Sequence, residues 1–239
     1  RSAKGQLRWV LCNYPTQSLA KAARMNLSRY TEFIVKACFL HQTKPQKGWE
    51  TLSKKQAKWV SILNQGSNIQ FKSGNTDIQF KIKGRTWINS DGKRNMPSGE
   101  VFTSPIESSA NGHITFDIPS LLFGKVIKGL TLTLKNGKVV DWSSRSGKPL
   151  LDRLFSIKGA DRVGEIAIGT NQNILEPTLN TLFDEKIGGT IHMAIGASYP
   201  ETGGKNNSSI HHDFVTTFNK EAIILLDNNC IYKNGKFIV

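Results

Sequence analysis

His211 and Asp213 stand two residues apart in Ile210-His211-His212-Asp213, and His192 and Tyr199 stand seven apart just upstream. In an extended segment residues i and i+2 face one side, so His211 and Asp213 can close on one ion while His212 points away. Both pairs belong to the stretch from Glu185 to Asp213, E-K-I-G-G-T-I-H-M-A-I-G-A-S-Y-P-E-T-G-G-K-N-N-S-S-I-H-H-D. It holds three of the five histidines of the protein, with Glu185, Glu201, Asp213 and Tyr199. Glycines interrupt it, so the backbone can turn sharply around a point on which those side chains converge. Carboxylates mixed with imidazoles, without a thiolate, suit a divalent ion of the zinc, cobalt or manganese kind. A lone H-x-D is a short motif and a weak warrant, however, and by itself it reads as a polar loop with hydrogen-bonded histidines before it reads as a metal site.

Two earlier stretches carry compatible chemistry. Asn95-Met96-Pro97-Ser98-Gly99-Glu100-Val101-Phe102 places a carboxylate directly after Pro and Gly, where a turn ends and a strand can begin. Arg162-Val163-Gly164-Glu165-Ile166-Ala167-Ile168-Gly169 sets a single Glu in an apolar run, where a carboxylate is costly to bury unless paired or bound to a cation. Taken singly, each reads as a structural acid rather than a ligand. Together Glu100, Glu165, Glu185, His192, His211 and Asp213 supply enough oxygen and nitrogen for two divalent ions ~3.5–4 Å apart.

The elements that must position these residues read as an α+β chain, mainly antiparallel sheet with hairpins plus several helices, with the metal site in the C-terminal half. Leu7–Cys12 is a short apolar run of buried-strand type, stopped at Pro15. After Ser28, a good N-cap, Tyr30, Phe33, Ile34, Ala37 and Cys38 recur at helical spacing. Ser53 and Gln56 predict a capping box ahead of a helix with Ala57, Val60 and Leu63 inward, and residues 41–49 read as a Lys/Pro/Gly loop. From Ile69 the period becomes two, so residues 69–142 are expected to be mainly antiparallel sheet. Asn136-Gly137 is the strongest hairpin signal, with Asn111-Gly112 and Asn234-Gly235 as further candidates, and Pro149–Phe155 reads as a short helix.

With 38% hydrophobic residues, five Trp and twelve Phe, the composition is that of a globular chain rather than a disordered one. No apolar run is long enough to span a membrane, and no N-terminal segment has signal-peptide order. Cys12, Cys38 and Cys230 are odd in number and far apart, and read as reduced core thiols of an intracellular protein. The chain opens at Arg1 without Met and reads as beginning in mid-structure, as a fragment, a processed product or a truncated gene would. The net charge of +14 is confined: residues 1–99 hold 18 Lys and Arg against Glu32, Glu50, Asp77 and Asp91, whereas residues 100–239 hold 14 of each sign. Such a half fits a polyanion such as RNA, an acidic partner, or a solvated basic surface.

The segments N-M-P-S-G-E-V-F-T-S-P, G-E-I-A-I-G-T-N, L-F-D-E-K-I-G-G-T-I-H-M-A-I-G-A-S-Y-P-E-T-G-G-K-N and I-H-H-D closely resemble the thermophilic-type metallo-aminopeptidases, the aminopeptidase T, aminopeptidase S and PepS group. W-V-L-C-N-Y-P-T and T-D-I-Q-F-K-I-K-G-R-T-W are similar to it too. The resemblance implies a cytoplasmic, homodimeric exopeptidase acting on peptides through two divalent metal ions. Glu100, Glu165, His192, His211 and Asp213 match the family's ligands, and Glu185 and Tyr199 match further residues of the same centre. Residues 1–239 would be its C-terminal catalytic domain, without the family's N-terminal α/β domain, ~150 residues and so of whole-domain size. His212 stands where the family usually has Trp.

In such a centre Glu165 is the expected proton carrier and Tyr199 the expected donor to the oxyanion. The alternative is a non-catalytic relative whose basic N-terminal half binds RNA or a large assembly.

Overall fold

Asn26, not Ser28, begins the first long helix. A computed structural model describes residues 6–239; the expectation attached to Arg1 lies outside them. β1 (Leu11–Cys12) is followed by α1 (Gln17–Ala22), α2 (Leu27–Ala37) and α3 (Pro45–Leu63). Asn26 Oδ1 accepts from Arg29 N at 2.8 Å, and Tyr30, Phe33, Ile34 and Ala37 form the buried face of α2. The expected loop at 41–49 and the capping box at Ser53 are both corrected. Pro45 sits at the first turn of α3, where its missing N–H costs nothing, so the helix starts eight residues before Ser53. Ser53 instead donates to Asp91 Oδ2 at 2.8 Å. The buried stripe of α3 runs through Leu52, Gln56 and Leu63, while Ala57 is exposed.

The middle of the chain forms β2 (Asn68–Ser73), β3 (Thr76–Lys81), β4 (Ile88–Ser90), β5 (Asn95–Met96), β6 (Glu100–Thr103), β7 (Asn111–Phe116), β8 (Ser120–Leu122), β9 (Lys125–Ile127), β10 (Leu130–Lys135) and β11 (Lys138–Ser143). Asn136 and Gly137, at φ 50° and 78°, make the β10–β11 hairpin. Asn111-Gly112 is not a turn: both residues belong to β7, which pairs with β3 and β10. Leu7–Cys12 is likewise corrected. Only Leu11–Cys12 is strand, paired in parallel with β5, and Leu7, Trp9, Val10 and Leu11 are exposed. Cys12 is exposed as well, so of the three free thiols only Cys38 is a buried one. An apolar run alone does not separate a core strand from an edge segment.

The remaining elements are α4 (Lys148–Phe155), β12 (Val163–Gly169), α5 (Thr181–Asp184), β13 (Thr190–Gly196), β14 (His211–Thr217), β15 (Ile223–Leu226), β16 (Asn229–Lys233) and β17 (Lys236–Phe237), with Asn234-Gly235 turning between the last two. Two sheets dominate: an eight-stranded one in the order β11-β10-β7-β3-β2-β15-β16-β17 and a five-stranded one in the order β14-β13-β12-β6-β4. Their facing sides share one core, in which Ile78, Phe80, Phe116 and Leu132 meet Ile166, Ile168, Met193 and Phe214. Burying each such side chain contributes about 1.5–3 kcal/mol. A second cluster joins α1 and α2 to Phe183, Ile187 and Val215. Val215 has the same strand parity as His211 and Asp213, so the helices cover one end of the sheet face that carries the candidate residues. No helix among the described residues is long and apolar enough to cross a membrane.

Candidate metal centre

Strand alternation gives the outer face of the five-stranded sheet its composition. Cross-strand pairing puts Asp213, Ala194 and Glu165 in one row, and Val215, His192, Ala167 and Phe102 in the next. Ala194 and Ala167 are small, which leaves volume between the acids and imidazoles. The alternate residues Ile166, Ile168, Met193 and Ile195 belong to the shared core, which fixes the register: a slip by one would bury the polar set there and expose the isoleucines.

Each polar side chain has its own support. Glu100 begins β6 after Gly99, whose φ of 119° favours glycine and whose added Cβ would lie 2.7 Å from Asn171 Cβ. Gln56 of α3, fully buried, donates to Glu100 O at 3.0 Å and accepts from Thr170 Oγ1 at 2.7 Å, tying β6 to the end of β12. Glu185 follows α5, which is anchored by the buried ring of Phe183 against Phe33 at 5.4 Å and Tyr30 at 6.3 Å. Asp184 accepts from Thr178 N and Oγ1 at 2.7 and 2.9 Å, and burial pushes its carboxyl up to about 6 against those bonds. His211 Nδ1 donates to Ala197 O at 2.7 Å, which leaves Nε2 as the ligand nitrogen, 3.3 Å from Glu165 Oε2 and 3.7 Å from Asp213 Oδ1.

The structure brings all six candidate ligands together. Three overlapping groups have ligand atoms close enough to share an ion: Glu100–Glu165–His192, Glu165–His211–Asp213 and Glu185–His192–Asp213. His192 Nε2 lies 3.2 Å from Glu100 Oε2 and 3.4 Å from Glu165 Oε1, yet neither contact has hydrogen-bond geometry. Both nitrogens of His192, Glu100 Oε2 and Asp213 Oδ1 are buried without a hydrogen-bond partner. Orphaned polar atoms at such depth cost stability unless something else satisfies them, and here His192 Nε2 and Glu100 Oε2 belong to residues of a group able to share an ion. The donor set fits divalent cations.

Electrostatics agree. Burial and the carboxylates of Asp213 and Glu100 push Glu185 up, against the pull of Lys186 beside it. Glu100, which burial alone would raise, is held down at about 2 by Lys186 and His192. Burial would lower both histidines, but Glu165 and Asp213 hold His211 up at about 10, and Glu100 and Glu165 raise His192 well above its usual value. The crowded carboxylates favour positive charge at this point, which a cation would supply. His212 points to the other face, with Nε2 2.9 Å from Ser120 Oγ and its ring edge-on to Phe214 at 4.8 Å.

A cleft of about 420 Å³ opens onto Glu100, Glu165, Glu185, His211 and Asp213, with Ile88, Phe102 and Trp9 as apolar wall. Tyr199 lies at its edge, 37% exposed, its ring 4.8 Å from that of His211 and 5.6 Å from that of Phe102. Burial and the surrounding carboxylates raise its phenol, so it remains a proton donor at neutral pH. Two contributors escape sequence reasoning. Gln56 looks like a capping residue, and Lys186, wholly buried beside Glu185, looks like an ordinary surface lysine. Its one signal is its place between Glu185 and the apolar, glycine-rich Ile187-Gly188-Gly189.

Comparison with known proteins gives a consistent neighbourhood. The model of the family described as thermophilic metalloprotease (M29) matches residues 1–237. The chain is 28% identical to aminopeptidase PepS of Streptococcus thermophilus over 240 residues and 30% identical to aminopeptidase 2 of Geobacillus stearothermophilus over 246 residues. These alignments cover 86% and 87% of the chain and 58% of each relative. The solved structure of wild-type AmpT from Thermus thermophilus superposes with a TM-score of 0.77 at 25% identity, covering 89% of this chain and 59% of that one. The chain thus spans somewhat more than half the length of these relatives.

Proposed function

The chain belongs to the thermophilic metalloprotease (M29) family, and from that premise we propose that residues 1–239 form the catalytic part of a metal-dependent aminopeptidase that releases the N-terminal residue of peptides. The observation that carries this reading is the set of unpartnered buried atoms on Glu100, His192 and Asp213, within the three groups able to share an ion. Glu100, Glu165, Glu185, His192, His211 and Asp213 would hold two divalent ions, of zinc, cobalt or manganese kind. Bound there, the ions supply Lewis-acid polarisation of the scissile carbonyl and acidify water.

The chain's own residues supply the rest. Glu165 takes the proton of the attacking water on its carboxylate and returns it to the leaving amine. Tyr199 donates its phenolic O–H to the oxygen on which negative charge develops. Ile88, Phe102 and Trp9 give the cleft an apolar wall for the first side chain of the substrate. A carboxylate of the centre receives the free α-ammonium group, which restricts cleavage to peptide ends.

A second reading, RNA binding through the basic N-terminal half, is favoured by one observation. A groove of about 910 Å³ is lined by Lys47, Lys55, Lys58 and Lys236 around Trp59, and no Asp or Glu lines it. Turnover of an aminoacyl chromogenic substrate tests the first reading. The wild type loaded with zinc, cobalt or manganese should turn over, chelator-treated protein should not, and Glu165→Gln should lower kcat by at least about a hundredfold. Wild-type turnover in Glu165→Gln removes Glu165 from the role. A metal-loaded, folded wild type without turnover removes the aminopeptidase reading.

A further inference from the structure

Lys186 is the one fully buried lysine or arginine among the described residues, and nothing in the proposed chemistry uses it. Its Nζ donates to Glu185 Oε1 and lies 3.4 Å from Glu100 Oε1. An ammonium group at that depth is costly unless paired, and two carboxylates of the centre are its partners.

The division of oxygens is specific. On Glu100, Oε1 faces Lys186 while Oε2 faces His192 and has no hydrogen-bond partner. On Glu185, Oε1 is taken by Lys186, although Glu185 also belongs to a group able to share an ion with His192 and Asp213. The other side of the centre, Glu165–His211–Asp213, contains neither of the carboxylates that touch the ammonium. We propose that Lys186 is a positioning residue that makes the two metal sides unequal. By holding one oxygen each of Glu100 and Glu185, it directs a single remaining oxygen of each toward an ion and weakens binding there. A first divalent ion is therefore taken on the Glu165–His211–Asp213 side, and the second, on the lysine side, binds more weakly.

A second consequence follows from charge alone. In metal-free protein Lys186 offsets part of the repulsion among Glu100, Glu165, Glu185 and Asp213, so it contributes more to stability before metal binds than after.

This inference rests on the reading of the cluster as a two-metal centre, and one experiment separates the two. The full chain is stripped with chelator and titrated calorimetrically with zinc or manganese, and its melting temperature is read with and without metal. The wild type should show two steps separated by roughly tenfold or more in affinity. Lys186→Met should tighten the weaker step by roughly tenfold and leave the tighter step within about threefold, while lowering the melting temperature mainly in the metal-free state. Lys186→Arg, which keeps the charge, should keep the gap between the steps. Two equal steps in the wild type, an unchanged gap in Lys186→Met, loosening of both steps together, or loss of the gap in Lys186→Arg would overturn the role of Lys186. A folded wild type that takes up no metal would instead overturn the two-metal reading beneath it. Should Lys186→Met fail to fold, the wild-type steps and Lys186→Arg still decide the matter.

Discussion

The acidic centre, which α3 reaches through Gln56, and the lysine-lined groove along α3 differ in how they hold charge. In the centre Glu100, Glu165, His192 and Asp213 are buried, crowded together and partly unpaired, so the fold bears a cost that a cation would relieve. In the groove Lys47, Lys55 and Lys58 occupy one stretch of α3, opposite Lys236 of β17, and each keeps its head in solvent. Its aromatic content is spent internally, since Trp59 stacks on Phe237 with centroids 4.2 Å apart and planes 11° from parallel. Solvated charge costs the fold little, so it is weak evidence for a ligand, whereas buried unpaired charge is strong evidence. This is why the centre leads the functional reading and the net charge of +14 does not.

The adjacent histidines break or sharpen the contrast most severely. His211→Ala should abolish most peptide turnover and lose an ion, because a ligand nitrogen disappears while Glu165 and Asp213 remain crowded. His212→Phe should retain metal and turnover, since His212 touches Ser120 and Phe214 on the other face. Calorimetric titration and turnover of the pair check this; the opposite ranking would refute the strand register assigned here.

Charge reversal in the groove should have a smaller and separable effect. Lys55→Glu combined with Lys58→Glu should leave peptide turnover within about twofold. If the groove holds RNA, it should weaken binding of a single-stranded oligonucleotide, and that binding should fall steeply with added salt in the wild type. Fluorescence anisotropy measures both, and absence of binding would assign these lysines to a solvated surface.

Glu107 lies between the two regimes, part-exposed and paired with Arg85 at 2.7 Å. Burial raises its carboxyl, but backbone N–H groups, including that of Lys205, and the Arg85 guanidinium outweigh it and hold the group below the usual glutamate range. A carboxylate lowered on folding contributes stability above its unfolded value and loses it as pH falls through the folded one. Glu107→Gln should therefore cost about 1–2 kcal/mol at pH 7, and the difference from wild type should close below the ordinary glutamate range. Urea melts at neutral and acidic pH check it; a difference independent of pH would count against this account.

Much of the centre was legible because its residues lie in strands, where a period of two assigns faces without knowledge of packing. His211 and Asp213 on one side and His212 on the other follow from that alone. The α+β class, the Asn136-Gly137 hairpin and the buried face of α2 were readable for similar local reasons. What failed depended on distant chain. Ser53 has the pattern of a cap, but Pro45 starts the helix earlier and Asp91 takes the hydroxyl. Leu7–Cys12 has the pattern of a core strand, yet pairs only with Asn95–Met96 and stays exposed. Lys186 and Gln56 act through carboxylates and carbonyls that are remote or inconspicuous in sequence, so no spacing rule points to them.

Anomalous scattering from crystals of the zinc- or manganese-loaded chain tests the central claim most directly. The account predicts two peaks in the centre, one in contact with His192 Nε2 and the other with His211 Nε2, and none at His212. A folded centre without peaks, or a peak coordinated by His212, would contradict it.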